Sequence, residues 1–293
     1  MKIALYGLSV NPDYIDELAR LLELLKEKRI ENYVYRPFLE YMQEECGLEP
    51  EVAGVFENTE DLPDEISFIF SLGGDGTLLK SFLVAQKSSI PIVGINSGRL
   101  GFLSDISRDE IEQALDDIIA GDYIIDERTV LELEIVNNDQ SDFHYALNEI
   151  TVTKLDSSSM ISIHAFINDE FLNTYWADGL IVATPTGSTA YSLSVGGPIL
   201  TPDSQNFVIS PIAPHHLTVR PIVVPDHYSI TLKVEGRGNH FLASIDSLSQ
   251  PIYFSVLLKI RKASFNVKTI RLKDHTFFST LRNKLLWGVD KRN

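Results

Sequence analysis

The chain has a single cysteine, Cys46, in 293 residues. No internal disulfide can form, and a reducing cytoplasm is the simplest setting. No apolar stretch approaches the roughly 20 residues that a membrane-spanning helix needs. The first residues, Met1-Lys2-Ile3-Ala4-Leu5-Tyr6-Gly7, enter structure too soon for a signal peptide. Cations are scarce: 25 Lys and Arg against 41 Asp and Glu leave a formal charge of −16, which argues against the basic footprint of nonspecific nucleic-acid binding. Small anionic ligands stay possible, with a divalent cation as the natural go-between. Several motifs are missing as well. There is no Gly-x-x-x-x-Gly-Lys-Ser/Thr phosphate loop, and Leu79 stands where a dinucleotide fingerprint needs its third glycine. A Gly-x-Ser-x-Gly elbow and a zinc-type His/Cys cluster are also lacking.

What the chain does have is organised around residues 66–79, Ile-Ser-Phe-Ile-Phe-Ser-Leu-Gly-Gly-Asp-Gly-Thr-Leu-Leu. The apolar run predicts a strand buried on both faces of a parallel sheet, and a helix follows from Thr77 to about Gln86. Ligands of open α/β sheets bind beyond the carboxyl ends of the strands. Glycine N–H groups and a helix N-terminus can cradle a phosphate there. Asp75 is the odd member of such a cradle. Either it serves a metal or a proton transfer, or the turn is merely tight and its acid solvated.

In chain order, Lys2–Tyr6 reads as a strand. Asn11-Pro12 opens a helix running from Asp13 to about Lys28, with Ile15, Leu18, Leu22 and Leu25 as its apolar stripe. A strand at 33–35 and a helix at 38–46 follow, the latter carrying Cys46 as a small core residue. After a loop at 47–65 with one short strand come the strand at 66–72, its helix, a strand at 90–95 and a helix at 107–120. This βαβα order predicts a parallel sheet covered by helices. From residue 121 the pattern becomes short strands at 129–136, 144–154, 161–167, 179–184, 207–212, 222–224, 229–235, 241–245, 252–260 and 264–269, an all-β sandwich-like unit. The adjacent His215 and His216, read as strand residues, would face opposite ways. Residues 276–289 return to helical spacing, with Phe277, Phe278, Leu281, Leu285 and Trp287 expected to pack on the first domain. The reading is therefore α/β + β: a Rossmann-like parallel domain over 1–120 plus about 270–293, and a β domain over 121–269.

Three further stretches carry polar residues that a plain β domain does not need. Asn148-Glu149 interrupts an apolar strand, so either one of the pair faces a pocket or both lie in water on an edge. Trp176-Ala177-Asp178-Gly179 is the second. The third, residues 184–198, is dense in hydroxyls and glycines and suits a loop that wraps a polar ligand.

Taken together, Gly73-Gly74-Asp75-Gly76-Thr77, Asn96-x-Gly98-x-Leu100-Gly101-Phe102-Leu103, Asn148-Glu149, Asp178-Gly179, the 184–198 loop and residues 210–221 resemble the NAD kinase family in order and spacing. The likeness spans most of 66–225. The glycine turn alone also resembles diacylglycerol kinases, sphingosine kinases and phosphofructokinases; the 184–198 loop is the specific part. The resemblance implies transfer of the γ-phosphoryl group of ATP to the 2′-hydroxyl of the adenosine ribose of NAD. It also implies an α/β domain, a β domain and an active site between them. By the same resemblance Asp75 is the catalytic carboxylate, with Gly74, Gly76 and Thr77 beside it and Phe102 against the adenine. Asn148 and Glu149 hold dinucleotide hydroxyl and amide groups. Thr186, Thr189, Ala190, Tyr191 and Ser192 belong to the nucleotide loop, with Ser194 near the nicotinamide end. Asp178 can complete a neighbouring subunit's site, which implies a homotetramer or homodimer. Trp176 stands where some members carry a basic residue, so the choice between NAD and NADH stays open. Asp246-Ser247-Leu248 departs from the Asp-Gly of many members and receives no role.

The chemistry suits the residues. A sugar hydroxyl is a poor nucleophile, and a positioned carboxylate can accept its proton. Without a phosphate-loop lysine, Mg²⁺ or another divalent metal accompanying ATP is the natural neutraliser of phosphate charge. Asp75 is either the base or a metal holder. A lipid or sugar kinase sharing the turn and a non-catalytic dinucleotide-binding regulator are the competing readings.

Overall fold

A computed structural model of the chain describes residues 1–85, 88–98, 101–137, 140–155 and 160–287. The chain divides into two compact units, Met1–Glu127 with Val267–Asn293, and Arg128–Asn266. The first contains β1 (Lys2–Gly7), α1 (Ile15–Glu27), β2 (Glu31–Tyr35), α2 (Arg36–Glu44), β3 (Gly54–Phe56), β4 (Ile66–Leu72), α3 (Asp75–Ala85), β5 (Ile92–Ile95) and α4 (Ile111–Ala120). Then come β6 (Tyr123–Asn137), β7 (Gln140–Ala146), β8 (Glu149–Thr153), β9 (Ile161–Ile167), β10 (Glu170–Ala177), β11 (Gly179–Ala183), α5 (Tyr191–Ser194) and β12 (Asn206–Ile212). The chain continues through β13 (Ile222–Pro225), β14 (Ile230–Glu235), β15 (His240–Ile245), β16 (Leu248–Tyr253), β17 (Leu257–Leu272) and α6 (Phe277–Leu285).

In the first unit the parallel order is β3-β2-β1-β4-β5, and Thr269 and Ile270 of β17 pair in parallel beyond β5. The strand β4 is buried along nearly its whole length, as its apolar run requires. A short 3₁₀ turn, Pro12–Tyr14, precedes α1, and Asn11 caps it by accepting from the Asp13 N–H at 3.2 Å. The α-helix begins two residues later than predicted, and the buried stripe of α1 is Leu18, Leu21, Leu24 and Leu25, with the expected Ile15 and Leu22 half-buried at its margin. Gly47, at φ +65°, ends α2 early. Cys46 therefore lies beyond the helix and is only half-buried, not the core residue expected.

The second unit is a β-sandwich. One antiparallel sheet runs β13-β12-β11-β8-β15-β16, and the other includes β10-β9-β14 with the first residues of β17. Along β9 and β15 every second residue is buried, and these residues interlock with Val152, Val182, Phe207, Leu232 and Leu258 in one core. The whole of β11 is buried, because Val195 and Leu200 of the following loop cover its outer face over Ile181, Ala183 and Val208.

Several boundaries differ from the sequence reading. The run 144–154 breaks at residues 147–148 into β7 and β8. The expected strand at 252–260 straddles the turn between β16 and β17, and the one at 264–269 lies inside the 16-residue β17. The strand β10 was not anticipated; it is an edge strand whose exposed faces mix polar and aromatic residues. His215 and His216 lie in the loop after β12 and not on a strand. In the tail, Thr276 caps α6, accepting from the Ser279 N–H at 3.1 Å. The tail belongs to the first unit, as expected: Leu281 is buried and Phe277 and Leu285 are half-buried, while Phe278 and Trp287 stay more than half exposed. The last two residues of that stretch lie outside the described residues.

Candidate active site

Asp75 is the first residue of α3, so the helix starts two residues before the predicted Thr77. Its carboxylate is held by three consecutive backbone donors. The Phe102 N–H reaches Oδ2 at 2.9 Å, and the Leu103 and Ser104 N–H groups each reach Oδ1 at 3.0 Å. Oδ1 is thus saturated, and Oδ2 keeps an acceptor site. Two glycines make this seat possible. A Cβ on Gly101 would lie 1.9 Å from Asp75 Oδ1, and one on Gly73, at φ +152°, would lie 2.3 Å from Thr77 Oγ1. Gly74 and Gly76 meet nothing on the side where a Cβ would stand, which leaves room for a ligand to approach the turn. Asn96 ties the strand end to the 101–106 turn, donating from Nδ2 to the Ser104 carbonyl at 3.2 Å and accepting from the Gly98 N–H at 2.6 Å. Residues 99–100 of this motif lie outside the described residues. A cavity of about 390 Å³ opens here, lined by Asn11, Asn96, Ser97, Gly98, Ser107 and Arg108 among others. Among the described residues no three His, Cys, Asp or Glu side chains group as a metal cage.

The second unit assembles its own cluster. Thr184 accepts from the Gly187 N–H at 3.0 Å and donates to the Leu147 carbonyl at 2.6 Å, locking the loop to the β7–β8 break. Gly187 packs so closely on Asn148 that a Cβ would lie 2.1 Å from the Asn148 carbonyl oxygen. Asn148 is buried, and the side chain of Glu149 accepts from the Tyr191 N–H. The loop's hydroxyls prove largely structural. Ser188 bonds the Pro185 carbonyl, Thr189 bonds the Thr186 carbonyl, and Ser192, fully buried, shares a 3.0 Å hydrogen bond with Ser210. The 3₁₀ turn at 186–189 thus takes up the Ser188 and Thr189 hydroxyls and β12 takes up that of Ser192, while Thr186 is buried. Tyr191 and Ser194 face outward, and Thr189 and Ala190 are half-buried.

The chain matches the ATP-NAD kinase N-terminal domain over residues 7–123 and the ATP-NAD kinase C-terminal domain over residues 147–272. The NAD kinase of Cytophaga hutchinsonii is 44% identical over 295 residues, covering 100% of both chains. That of Bacteroides fragilis is 44% identical over 296 residues, again with 100% of both chains covered. The chain belongs to the NAD kinase family. It is a phosphotransferase by that membership, which disfavours the lipid or sugar kinase reading. Among solved structures it resembles an NAD kinase from Archaeoglobus fulgidus in complex with ATP, with a TM-score of 0.72 at 26% identity, covering 98% and 99% of the two chains. It shares its fold with yeast NADH kinase complexed with NADH, with a TM-score of 0.89 at 22% identity, covering 100% of this chain and 89% of that one.

The family resemblance left Asp246 without a role, and the structure gives it one. It occupies the two-residue turn between β15 and β16 at φ +49°, a conformation Asp tolerates. Its carboxylate accepts from the N–H groups of Leu147, Asn148 and Glu149 at 2.8, 2.8 and 3.0 Å. Each unit of this NAD kinase relative thus seats a carboxylate on three consecutive backbone donors. Trp176 and Asp178 lie where β10 passes into β11. Trp176 is half-exposed beside His216, with ring centroids 4.9 Å apart, and Asp178 pairs with Lys154 at 2.7 Å.

Burial, reinforced by the neighbouring Asp246, pushes the Glu149 carboxyl up to about 8, and its Oε2 is buried without a partner. Burial also raises Asp246, against the pull of its three donors. The folded value of Glu149 lies above its unfolded one. Its contribution is therefore fully present below about pH 4.5 and is lost as pH rises toward 8, by at most roughly 1.4 kcal/mol per pH unit. Glu149→Gln carries no such proton. Its melting temperature should gain on the wild type steadily from pH 5 to 8 and hold a constant lead above that. A difference that does not change with pH would contradict this burial of the acid.

Proposed function

We propose that this chain transfers the γ-phosphoryl group of ATP to the 2′-hydroxyl of the adenosine ribose of NAD, giving NADP and ADP, with Asp75 as general base. The observation that carries the reading is the seat of Asp75: a carboxylate fixed by three backbone N–H groups, with one acceptor site left on Oδ2, at the N-terminus of a helix. In the proposed step Oδ2 accepts the hydroxyl proton as the ribose oxygen attacks the γ-phosphorus. The bond to the β–γ bridging oxygen breaks, and ADP leaves. Gly74, Gly76 and Thr77 line the phosphate path, where the open space beside Gly74 and Gly76 and the start of α3 favour an anion. Phe102 packs on the adenine. Asn148, Glu149, Thr189, Ala190, Tyr191 and Ser194 contact the dinucleotide, and Trp176 and Asp178 serve its nicotinamide end or a neighbouring subunit. Mg²⁺ enters with ATP, held by the phosphates as such small cations commonly are. The setting is cytoplasmic and the assembly a homotetramer or homodimer, which sedimentation tests: a fully active monomer contradicts it.

The reaction is tested by incubating the purified protein with ATP, Mg²⁺ and a panel of acceptors. NADP should form, and a chelator should abolish its formation. Phosphorylation of diacylglycerol or fructose 6-phosphate with none of NAD would overturn the proposal.

A further inference from the structure

We propose that His275 is a positioning residue for Asp75, clamping from the C-terminal segment the turn that holds the carboxylate. The inference rests on the assignment of Asp75 as base. The strand β17 pairs with β5 through Thr269 and Ile270, so the chain leaves the sheet beside the strand that Asn96 ties to the 101–106 turn. Three residues past the end of β17 the His275 ring lies between two carboxylates. Nδ1 is 3.3 Å from Asp105 Oδ2, and Nε2 is 3.0 Å from Glu110 Oε1. Only the doubly protonated imidazolium donates to both.

The surroundings fix the ring and its partners. Arg271, itself paired with Asp126, donates to the His275 carbonyl at 2.6 Å. Glu110 accepts from the Ser107 N–H at 2.9 Å and the Ser107 hydroxyl at 2.6 Å. Asp105 directly follows Ser104, the last of the three N–H donors to Asp75. At the other end of the same turn, Lys284 of α6 lies 5.9 Å from the centroid of the Phe102 ring, next to the first donor. The C-terminal segment therefore grips the turn at both ends.

Asp105, helped by Glu110, raises His275 to about 9. The folded value exceeds the unfolded one of about 6.5, so the clamp is fully present below that pH and is lost as pH rises through about 9. Once the proton leaves, Asp105 and Glu110 keep their charges without the cation that joins them, and the turn loses its hold. A misplacement of about 1 Å at a reacting group can cost roughly a hundredfold in rate.

The test measures kcat and KM for NAD from pH 7 to 10, with amide hydrogen exchange, in the wild type, His275→Ala and His275→Arg. Wild-type kcat should fall through about pH 9. His275→Ala should lose about ten- to a hundredfold in kcat at neutral pH with KM little changed, and its amides at 102–104 should exchange faster while those of Ile69 and Phe70 do not. His275→Arg, permanently charged, should restore most of the lost turnover and shift the alkaline fall upward. Wild-type kcat and pH dependence in His275→Ala, or exchange accelerated equally at Ile69 and Phe70, would overturn the proposal. A wild type that forms no NADP would refute the functional reading instead. The exchange at 102–104 would then decide the clamp, faster exchange supporting it and unchanged exchange overturning it.

Discussion

Asp75→Asn should lower turnover with NAD by about two to four orders of magnitude, the range a positioned general base supplies. The side chain keeps its size, and its oxygen can still accept from Leu103 and Ser104. The new amide group, however, faces the Phe102 N–H where Oδ2 had accepted a bond, so one donor loses its partner, a local cost of about 1–3 kcal/mol. The melting temperature should therefore fall modestly, while the loss of turnover far exceeds what unfolding explains. NAD affinity measured by calorimetry should change little, because most of the proposed dinucleotide contacts lie on the 148–149 pair and the 186–194 loop. Recovery of the rate at high Mg²⁺ would make Asp75 a metal holder, and near-normal turnover would make the turn merely structural.

The largest effect on stability should come from Asp246→Ala. Three successive N–H groups would lose one acceptor. Orphaned buried donors cost about 1–3 kcal/mol each, and Ala resists the left-handed backbone at this position. Relief of a buried carboxylate offsets part of this, leaving a net loss of about 3 kcal/mol or more by the same bookkeeping. A melting point lower by several degrees is expected, at about 2–4 °C per kcal/mol for domains of this size. NAD affinity should fall as well, since Asn148 and Glu149 lose the group that fixes their backbone. Asp246→Asn, which keeps the size and part of the acceptor capacity, should be milder on both counts. An Asp246→Ala protein with wild-type melting and affinity would show that the turn does not need the carboxylate.

The contrast between these two acids shows what the sequence carries. Asp75 is legible because its glycines, its apolar strand and its helix are contiguous, and βαβ units place chemistry at that turn. Asp246 is almost a hundred residues from its partners. It meets them only because Ile245 of β15 pairs with Ile150 of β8, a register that no local pattern announces. The same limit explains other differences. Polar residues on the edge strand β10 hid its strand character, and Asn148-Glu149, read as mid-strand, in fact sits where the strand breaks and β8 begins, a junction that a distant turn satisfies. The hydroxyls of 184–198 read as ligand contacts, and the structure shows that Ser188 and Thr189 bond carbonyls of their own turn and Ser192 bonds Ser210. Composition cannot tell a hydroxyl used by the backbone from one offered to a ligand. His275 carries no motif at all. Its significance arises from where β17 delivers it.

The most direct test of the central claim is the position of the phosphate on the product. The purified protein is incubated with ATP, Mg²⁺ and NAD, and the dinucleotide product is analysed by phosphorus and proton NMR. A new phosphate coupled to the 2′ proton of the adenosine ribose is expected, with one ADP formed per NADP. ADP released without a phosphorylated dinucleotide, or phosphate on any other oxygen, would contradict it.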